Sequence, residues 1–168
     1  LIYVRDDVEI DNIDLKRKRA IITSLKKRKN LLVRPSVANI SNIYITFSVE
    51  EPELNLSQVN RFLISAASMG VEVSLVLTKC DLISEKKRSL LLDKFGKWGY
   101  QAITLNLQKS DNFKNLLAEL SQKECSIFMG PSGVGKTTLL NMIIPGLQNR
   151  TAPVSNKIMR GKNTTRNV

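Results

Sequence analysis

Gly130-Pro131-Ser132-Gly133-Val134-Gly135-Lys136-Thr137 is the stretch that decides the fold of this chain. It matches the phosphate-binding loop pattern G-x-x-x-x-G-K-[ST] at every fixed position. Residues 125–129 before it predict a short buried strand, and residues 138–144 after it predict the opening of a helix. A chance match in a glycine turn is the alternative. The order of strand, glycine loop and helix favours a phosphate site, because this is the context that the motif requires.

The chemistry of this loop depends on many donors that converge on a small volume. Gly133 and Gly135 allow successive backbone N–H groups to turn inward, and the following helix adds the positive end of its dipole. Lys136 is predicted to place its charge between the β- and γ-phosphates, and the Thr137 hydroxyl is predicted to ligate Mg²⁺. The predicted nucleotide-binding residues of this region are Gly130, Pro131, Ser132, Gly133, Val134, Gly135, Lys136, Thr137 and Thr138.

A second motif, Thr78-Lys79-Cys80-Asp81, follows an apolar, β-branched run at residues 71–77 that predicts a strand. It is similar to the N-K-x-D guanine signature of GTPases, with Thr78 in place of the usual Asn. In that signature the Asp accepts hydrogen bonds from guanine N1 and N2, and the Lys stem lies along the base. Adenine offers no such donor pair, so Asp81 predicts a guanine nucleotide. A solvated turn explains this motif alone about as well, and the phosphate loop favours the functional interpretation.

The order of the two motifs is reversed relative to an ordinary GTPase, because Asp81 precedes Gly130. This order predicts a circularly permuted fold. Both motifs are expected at the carboxyl ends of parallel strands, so relocating the chain ends among surface loops leaves the site intact. Residues 106–108 stand where GTPases often carry Ser-Ala-Lys, although the match is poor.

The composition is that of a globular chain with an excess of positive charge. The 168 residues are 42% hydrophobic and 24% charged, and the formal net charge is +11. The excess is concentrated near the N-terminus, which predicts a polyanionic partner such as RNA; a solvated basic face is the alternative. The basic residues concerned are Lys16, Arg17, Lys18, Arg19, Lys26, Lys27, Arg28, Lys29 and Arg34.

Cysteine usage and hydropathy predict an intracellular protein. Cys80 and Cys125 are far apart and there is no His, so we expect reduced thiols and neither a zinc site nor a disulfide framework. No apolar run has membrane-spanning length, and no signal peptide is visible. We expect a cytoplasmic monomer, with an organelle as the alternative if a targeting segment precedes Leu1. A start without Met and an end at Val168 predict a piece of a longer protein.

Two patterns divide the chain. Residues 1–38 contain short apolar or alternating runs at 6–10, 20–25 and 30–34, and they predict part of a small OB-like β-barrel with too few strands to close. Residues 39–168 alternate strands with helices. This alternation predicts an α/β fold, with a mostly parallel sheet covered by helices on both faces.

The helices of the second region have predictable ends. Ser57 is predicted to cap a helix that runs to about Met69, Ser84 to begin a second helix, and residues 112–123 to form a third. Trp98 and Tyr100 are predicted to pack the end of the second helix against the sheet edge; a stacking platform for RNA bases is the alternative.

Residues 160–167 are polar and predict a nucleotide-dependent switch loop, with a disordered tail as the alternative. A Thr hydroxyl in such a loop ligates Mg²⁺ only when a γ-phosphate holds it there. Thr164 or Thr165 is the candidate, and Thr164 is the predicted second ligand of Mg²⁺.

Taken in order, four landmarks resemble the RsgA (YjeQ) family of circularly permuted GTPases. They are Leu31-Leu32-Val33-Arg34-Pro35-Ser36-Val37-Ala38-Asn39, Thr78-Lys79-Cys80-Asp81, residues 130–138, and Arg160-Gly161-Lys162-Asn163-Thr164-Thr165. The resemblance implies an N-terminal OB-fold, a permuted GTPase domain that ends here before its D-x-x-G motif, and a C-terminal zinc domain beyond Val168. It therefore implies no zinc ligands in this chain. Asn163 stands where the family commonly has His, a residue proposed to assist hydrolysis.

The resemblance also implies a function. Members hydrolyse GTP to GDP and phosphate, are stimulated by the small (30S) ribosomal subunit, and act late in its maturation, so this subunit and its rRNA are the expected partners. The predicted mechanism is in-line attack of water on the γ-phosphate, with Lys136, the loop amides and Mg²⁺ stabilising the developing charge, and with Thr164 and Thr165 completing the catalytic set. An RNA-binding nucleotide sensor with negligible hydrolysis is one alternative, and an ATP-dependent phosphate-loop protein is another.

Overall fold

The computed structural model describes residues 1–33, 35–107 and 113–144, together with the backbone at 154–155 and 160–161. Several residues discussed above lie outside this part of the chain: Arg34, Gln108, Asn163, Thr164 and Thr165. Contacts divide the chain into two compact units, Leu1–Ile40 and Ser41–Asn167.

The first unit contains two antiparallel pairs of strands. β1 (Val8–Asp14) pairs with β2 (Arg19–Leu25), and β3 (Leu31–Leu32) pairs with β4 (Val37–Ala38). The three strand predictions in this region are confirmed in position, although β1 runs on to Asp14. The sequence analysis does not predict β4. Pro35 lies in the β3–β4 turn, which its restricted φ favours. Closure into an OB-like barrel stays a prediction.

Arg28 has a structural role in the first unit. Its guanidinium donates two hydrogen bonds to the Asp6 carboxylate, at 2.7 and 2.9 Å, and lies 4.7 Å from the centre of the Tyr3 ring. The hydrogen bond from Arg28 lowers the pKa of the nearly inaccessible Asp6 carboxyl to about 2. Within the described residues, the charge of Arg28 is therefore paired with an inaccessible carboxylate, unlike the charges of the adjacent Lys26, Lys27 and Lys29.

The second unit is built on a four-stranded sheet of order β7-β6-β5-β8, in which every pair is parallel. The strands are β5 (Asn42–Ser48), β6 (Glu72–Thr78), β7 (Ala102–Thr104) and β8 (Ser126–Met129). The helices are α1 (Leu56–Ala67), α2 (Glu85–Lys97), α3 (Phe113–Ser121) and α4 (Lys136–Ile143). Near the end of the chain, β9 (Val154–Ser155) pairs antiparallel with β10 (Arg160–Gly161). The predicted α/β class with a mostly parallel sheet is confirmed.

Helices cover both faces of this sheet. Successive side chains of a strand point to opposite faces. Tyr44 lies in one buried cluster with Leu116 of α3 and Leu139 of α4. Phe47 belongs to the opposite face, where its ring packs edge-on against Phe62 of α1 with centroids 5.6 Å apart. The central strand β5 is consequently buried along its whole length.

The ends of two helices test the predicted caps. α2 begins at Ser84 as predicted, and Ser84 is its N-cap, whose hydroxyl accepts a hydrogen bond from the Lys87 N–H at 3.3 Å. The predicted cap of α1 at Ser57 is wrong, because Asn55 takes that position in an extended conformation and accepts from the Gln58 N–H at 3.0 Å. Asn is at least as good a cap as Ser, so the two residues compete and the earlier one starts the helix.

Trp98 lies at the C-terminal end of α2. Its ring packs edge-on against the fully buried Phe95 of the same helix, with centroids 5.5 Å apart. The side chain nevertheless stays 38% exposed. Packing of Trp98 and Tyr100 against the sheet edge stays a prediction. None of the helices in the described part of the chain is long and apolar enough to cross a membrane.

Candidate nucleotide-binding site

The glycine-rich loop connects β8 to α4, as the motif predicts. Gly135 is the N-cap of α4 with φ of 88°, and no side chain caps this helix end. The first turn of α4 also carries no acidic residue. The N-terminal N–H groups and the positive dipole end of α4 are therefore not compensated by a carboxylate of the first turn, which is the arrangement that suits a bound phosphate.

Gly130 begins the loop against the backbone of the neighbouring strand β5. Its φ is 151°, and a Cβ atom built on it would lie 2.0 Å from the Thr46 carbonyl oxygen. Only glycine fits this close approach, because the obstructing atom belongs to the main chain and cannot rotate away. The start of the loop is thereby held directly beside the end of β5.

We predict that Gly130→Ala lowers the free energy of unfolding by about 3 kcal/mol or prevents folding, since backbone atoms of β5 have to move. Gly96→Ala is the matched control, because Gly96 lies in α2 and a Cβ atom there would meet no neighbouring segment within 4 Å. That variant should gain about 0.5 kcal/mol from helix propensity. Urea unfolding of both variants tests this, and equal stabilities would contradict the proposed close approach.

Lys136 folds back over the loop that precedes it. Its ammonium donates hydrogen bonds to the carbonyl oxygens of Gly130 at 2.9 Å and of Pro131 at 2.5 Å. Burial lowers the pKa of Lys136, because its charged form loses hydration that two neutral carbonyls only partly replace. A negative phosphate at this position would supply the missing counter-charge. The local electrostatics therefore suit an anion.

The guanine-type motif lies directly against this loop. Thr78 is the last residue of β6, and its buried hydroxyl donates a 2.6 Å hydrogen bond to the Val134 carbonyl oxygen in the middle of the loop. A Cβ atom on Gly135 would lie 3.9 Å from the same hydroxyl. Two motifs that are 56 positions apart in the chain thus share one hydrogen bond. Thr78, which replaces the usual Asn, supplies the connection to the phosphate loop.

Thr78→Val tests this connection. The valine keeps the shape but removes the donor and leaves the buried Val134 carbonyl without it, so we expect a loss of about 1–2 kcal/mol in stability and about tenfold weaker nucleotide binding. Thr78→Ser retains the hydroxyl and should bind within about twofold of the parent. Titration with a fluorescent GDP analogue measures both. Unchanged affinity in the valine variant would show that the bond does not organise the site.

The three residues after Thr78 take different positions. Lys79 adopts a left-handed conformation with φ of 56°, and its ammonium donates to the Glu51 carbonyl oxygen. Burial lowers the pKa of Lys79, opposed by the nearby charges of Glu51 and Asp81. Asp81 lies exposed in a 3₁₀ turn, Cys80–Leu82, and within the described part of the chain no group forms a hydrogen bond or ion pair with its carboxylate. This carboxylate is accessible to a base.

Cys80 is directed into the protein rather than towards a ligand. Its thiol is buried and donates to the Leu77 carbonyl oxygen at 3.3 Å. Burial raises the pKa of this thiol to about 11, so it is almost entirely protonated at neutral pH. Cys80 therefore belongs to the predicted binding motif through its place in the turn, and its side chain anchors that turn.

Two contacts of the site were not predictable from the motifs. The Thr46 carbonyl and the Glu51 carbonyl both come from β5 and the turn after it, where the sequence shows no signature. Only the order of strands in the sheet points to these contacts, because β5 lies between β6 and β8, the strands that carry the two motifs. Leu107 also reaches the loop: a Cβ atom on Gly135 would lie 2.7 Å from its Cδ1 atom, which brings the segment after β7 to the same edge of the sheet.

The remaining predicted site residues are located by their positions along the chain. Ser132 and Gly133 lie within the loop, and Thr137 and Thr138 form the first turn of α4 after Lys136. The candidate switch residues Thr164 and Thr165, and Asn163 between β10 and them, lie outside the described residues.

Comparison with known proteins agrees with this arrangement. The RsgA GTPase family model matches residues 25–168. The chain belongs to the RsgA GTPase family. It is 39% identical over 167 residues to the small ribosomal subunit biogenesis GTPase RsgA of Prochlorococcus marinus (strain NATL1A), covering 99% of this chain and 54% of that protein. The protein of the same name from Synechococcus sp. (strain CC9605) is also 39% identical over 167 residues, with coverage of 99% and 55%.

Solved structures show the same RsgA-type fold. The crystal structure of YjeQ from Thermotoga maritima superposes with a TM-score of 0.78 at 31% sequence identity, covering 89% of this chain and 54% of that one. YloQ, described as a circularly permuted GTPase, gives a TM-score of 0.73 at 26% identity, covering 86% and 51%. The predicted family and the permuted GTPase fold are thereby confirmed. The chain spans about half the length of these relatives.

Proposed function

We propose that this chain carries the nucleotide site of a GTPase that acts in the biogenesis of the small ribosomal subunit. The observation that supports this most strongly is the hydrogen bond from Thr78 to Val134, since it joins the guanine-type motif to the phosphate loop at one edge of the sheet. The carboxyl ends of parallel strands are where α/β folds bind nucleotides. The curated relatives carry the name of this activity.

In this proposal the base and the phosphates are held by separate groups. The exposed Asp81 carboxylate accepts from guanine N1 and N2, while the Lys79 stem lies along the base, steadied by its hydrogen bond to the Glu51 carbonyl. Gly133, Gly135 and the start of α4 direct N–H groups at the phosphates. Lys136 transfers its ammonium from the loop carbonyls to the β- and γ-phosphates, which relieves its unfavourable burial.

For hydrolysis the protein has mainly to position GTP and the attacking water. Water attacks the γ-phosphorus in line with the leaving GDP oxygen, and the loop N–H groups and Lys136 stabilise the charge on the oxygens during transfer. The Thr137 hydroxyl, a hard oxygen donor one residue after Lys136, suits Mg²⁺, and Thr164 is the proposed further ligand. Mg²⁺, when bound with GTP, neutralises charge on the β- and γ-phosphates. Because the protein contributes mostly electrostatics, a ribosomal surface is well able to complete the site.

The proposed partner is the small ribosomal subunit with its rRNA, in the cytoplasm, with the protein acting as a monomer. The tip of the β1–β2 hairpin and the residues after β2 supply exposed positive charge. Exposed basic side chains neutralise phosphates and release counterions, which gives salt-dependent RNA binding. The exposed residues concerned are Lys16, Arg17, Lys18, Arg19, Lys26, Lys27 and Lys29.

Neutralising Lys16, Lys18 and Lys26 together, by substitution with Gln, should weaken rRNA binding about tenfold at moderate salt and flatten its salt dependence. Arg28 is left intact, because its ion pair with Asp6 supports the fold. A filter-binding titration at three salt concentrations measures the slope. An unchanged slope would assign these lysines to a solvated face.

The decisive experiment on the proposed function is GTP turnover by the full-length protein with and without purified small subunits. We expect slow intrinsic hydrolysis that rises at least tenfold on the subunit. Equal turnover in both conditions would overturn ribosome stimulation. GTP binding without any turnover would instead establish the nucleotide-sensor alternative, and equal competition by ATP would overturn guanine specificity.

A further inference from the structure

One face of α2 forms a groove that the nucleotide site does not use. The groove has a volume of about 430 Å³, and its lining residues recur at helical spacing, which places them on one side of the helix. They are Lys87, Leu90, Leu91, Asp93, Lys94, Lys97 and Trp98. Leu90 is 63% exposed, so this face is not covered by another element of the second unit within the described residues.

The charge of this groove is positive. Three lysines line it against one aspartate, and Lys94 has no carboxylate within ion-pair distance in the part of the chain that the structure describes. Lys97 pairs with Asp93 at 2.8 Å, and Lys87 pairs with Glu50 at 2.5 Å. Exposed pairs of this kind are worth less than about 1 kcal/mol, so a polyanion is able to exchange with the carboxylates.

Trp98 supplies the aromatic surface of the groove. Its ring is held in place by the edge-on contact with Phe95, which is itself fully buried, and by its position at the C-cap of α2. A partly exposed aromatic ring with restricted motion loses little entropy when a base stacks on it. Base stacking on an aromatic side chain contributes about 1–3 kcal/mol and tolerates any base.

From this combination we propose that the α2 face binds single-stranded RNA, with an unpaired base stacked on Trp98 and the backbone phosphates on Lys94 and Lys97. The lysines between positions 87 and 97 span about 15 Å of helix, enough for a short single-stranded segment. Between Lys87 and Lys94 the apolar part of this face is limited to Leu90 and Leu91. Such a short stripe disfavours an amphipathic protein helix, because that partner needs a continuous apolar seam. The proposal extends the proposed function by a second RNA contact and depends on it only for the identity of the RNA.

The chain offers a direct probe, since Trp98 is its only tryptophan. Titrating the protein with a 12-nucleotide unstructured RNA should quench the tryptophan emission, because a base stacks on the indole. We expect the quench to saturate and the midpoint to rise with salt. Lys94→Gln combined with Lys97→Gln should shift the midpoint about five- to tenfold, whereas Lys114→Gln, an exposed lysine of α3, should leave it unchanged.

Two further experiments distinguish single-stranded RNA from an acidic protein surface as the ligand of the α2 face. Trp98→Phe, checked for folding by circular dichroism, should bind a fluorescein-labelled copy of the same RNA several-fold more weakly by anisotropy. Absence of a quench, or a quench that the double-lysine variant leaves unchanged, would overturn the proposal. An equal quench by polyglutamate would also overturn it, since that result would identify an acidic protein surface as the occupant.

A measurement of GDP binding distinguishes failure of this RNA-binding proposal from failure of the proposed GTPase function. Binding of a fluorescent GDP analogue is measured on the same samples and should be equal in the parent, the double-lysine variant and the Lys114→Gln control. RNA quenching with no GDP binding would leave this inference standing while the proposed function falls. GDP binding without quenching by RNA would overturn this inference and leave the proposed function standing.

Discussion

Replacing Lys136 with alanine is expected to weaken GTP binding at least about a hundredfold and to abolish hydrolysis. The ammonium now donates to the carbonyls of Gly130 and Pro131, and its proposed partners in the complex are the β- and γ-phosphates. Hydrogen bonds to charged groups contribute about 1.5–3 kcal/mol each, and two of them account for the expected loss. Titration with labelled GTP and a phosphate-release assay measure the two effects.

A stability measurement shows whether Lys136→Ala acts on binding alone. Burial lowers the pKa of Lys136, so folding disfavours its charged form. This penalty is complete below the lowered folded pKa and vanishes as the pH rises to the unfolded pKa near 10.5. Without nucleotide, the alanine variant should therefore unfold at a urea concentration equal to or higher than that of the parent at pH 7. Lys114→Ala, on the exposed side of α3, is the control for general loss of charge. Near-normal GTP affinity in Lys136→Ala would mean that the phosphate site is misplaced.

Replacing Asp81 with asparagine is expected to lower GTP affinity about a hundredfold and to transfer preference to xanthosine triphosphate. In the proposed site the Asp81 carboxylate accepts hydrogen bonds from guanine N1–H and N2–H, whereas the NH₂ group of an Asn amide would face one of these two donors. Xanthine carries a carbonyl oxygen at C2, which accepts from that amide. Because Asp81 is exposed and free of intramolecular hydrogen bonds within the described residues, the substitution should leave stability unchanged.

Competition among GTP, xanthosine triphosphate and ATP for the same fluorescent nucleotide measures the change. Asp93→Asn on α2 is the matched control, since it removes an exposed carboxylate distant in sequence from the motif. An Asp81→Asn variant that still selects GTP over xanthosine triphosphate would show that another group reads the base.

Much of the candidate site was predictable because phosphate loops obey local rules. Gly135 takes a left-handed conformation at a helix start, and the Lys–Thr pair follows it in the first turn, as the eight-residue pattern predicts. The parallel sheet followed from apolar runs alternating with amphipathic segments. The start of α1 was not predictable in this way, since Asn55 and Ser57 are both good caps and only the backbone conformation at Asn55 distinguishes them.

Contacts between distant segments were not predictable in the same way. The sequence identifies Thr78 as a departure from Asn, but it does not show that the hydroxyl reaches Val134. It also counts Arg28 among the basic residues, whereas the fold places that guanidinium on Asp6. A side chain with several potential partners is assigned to one of them only when the backbone brings that partner within about 3 Å.

The amino-acid sequence by itself determined the family, the permuted order of motifs and the residues suited to hold phosphate and base, because these depend on residue type and spacing along short segments. Tertiary structure alone decided that Thr46 excludes a side chain at Gly130, that Glu51 holds Lys79, and which basic residue is structural. The first two facts arise from the lateral order of β6, β5 and β8 in the sheet, and the third from the packing of the first unit. Strand order is set by packing across the whole unit, so no local pattern encodes it.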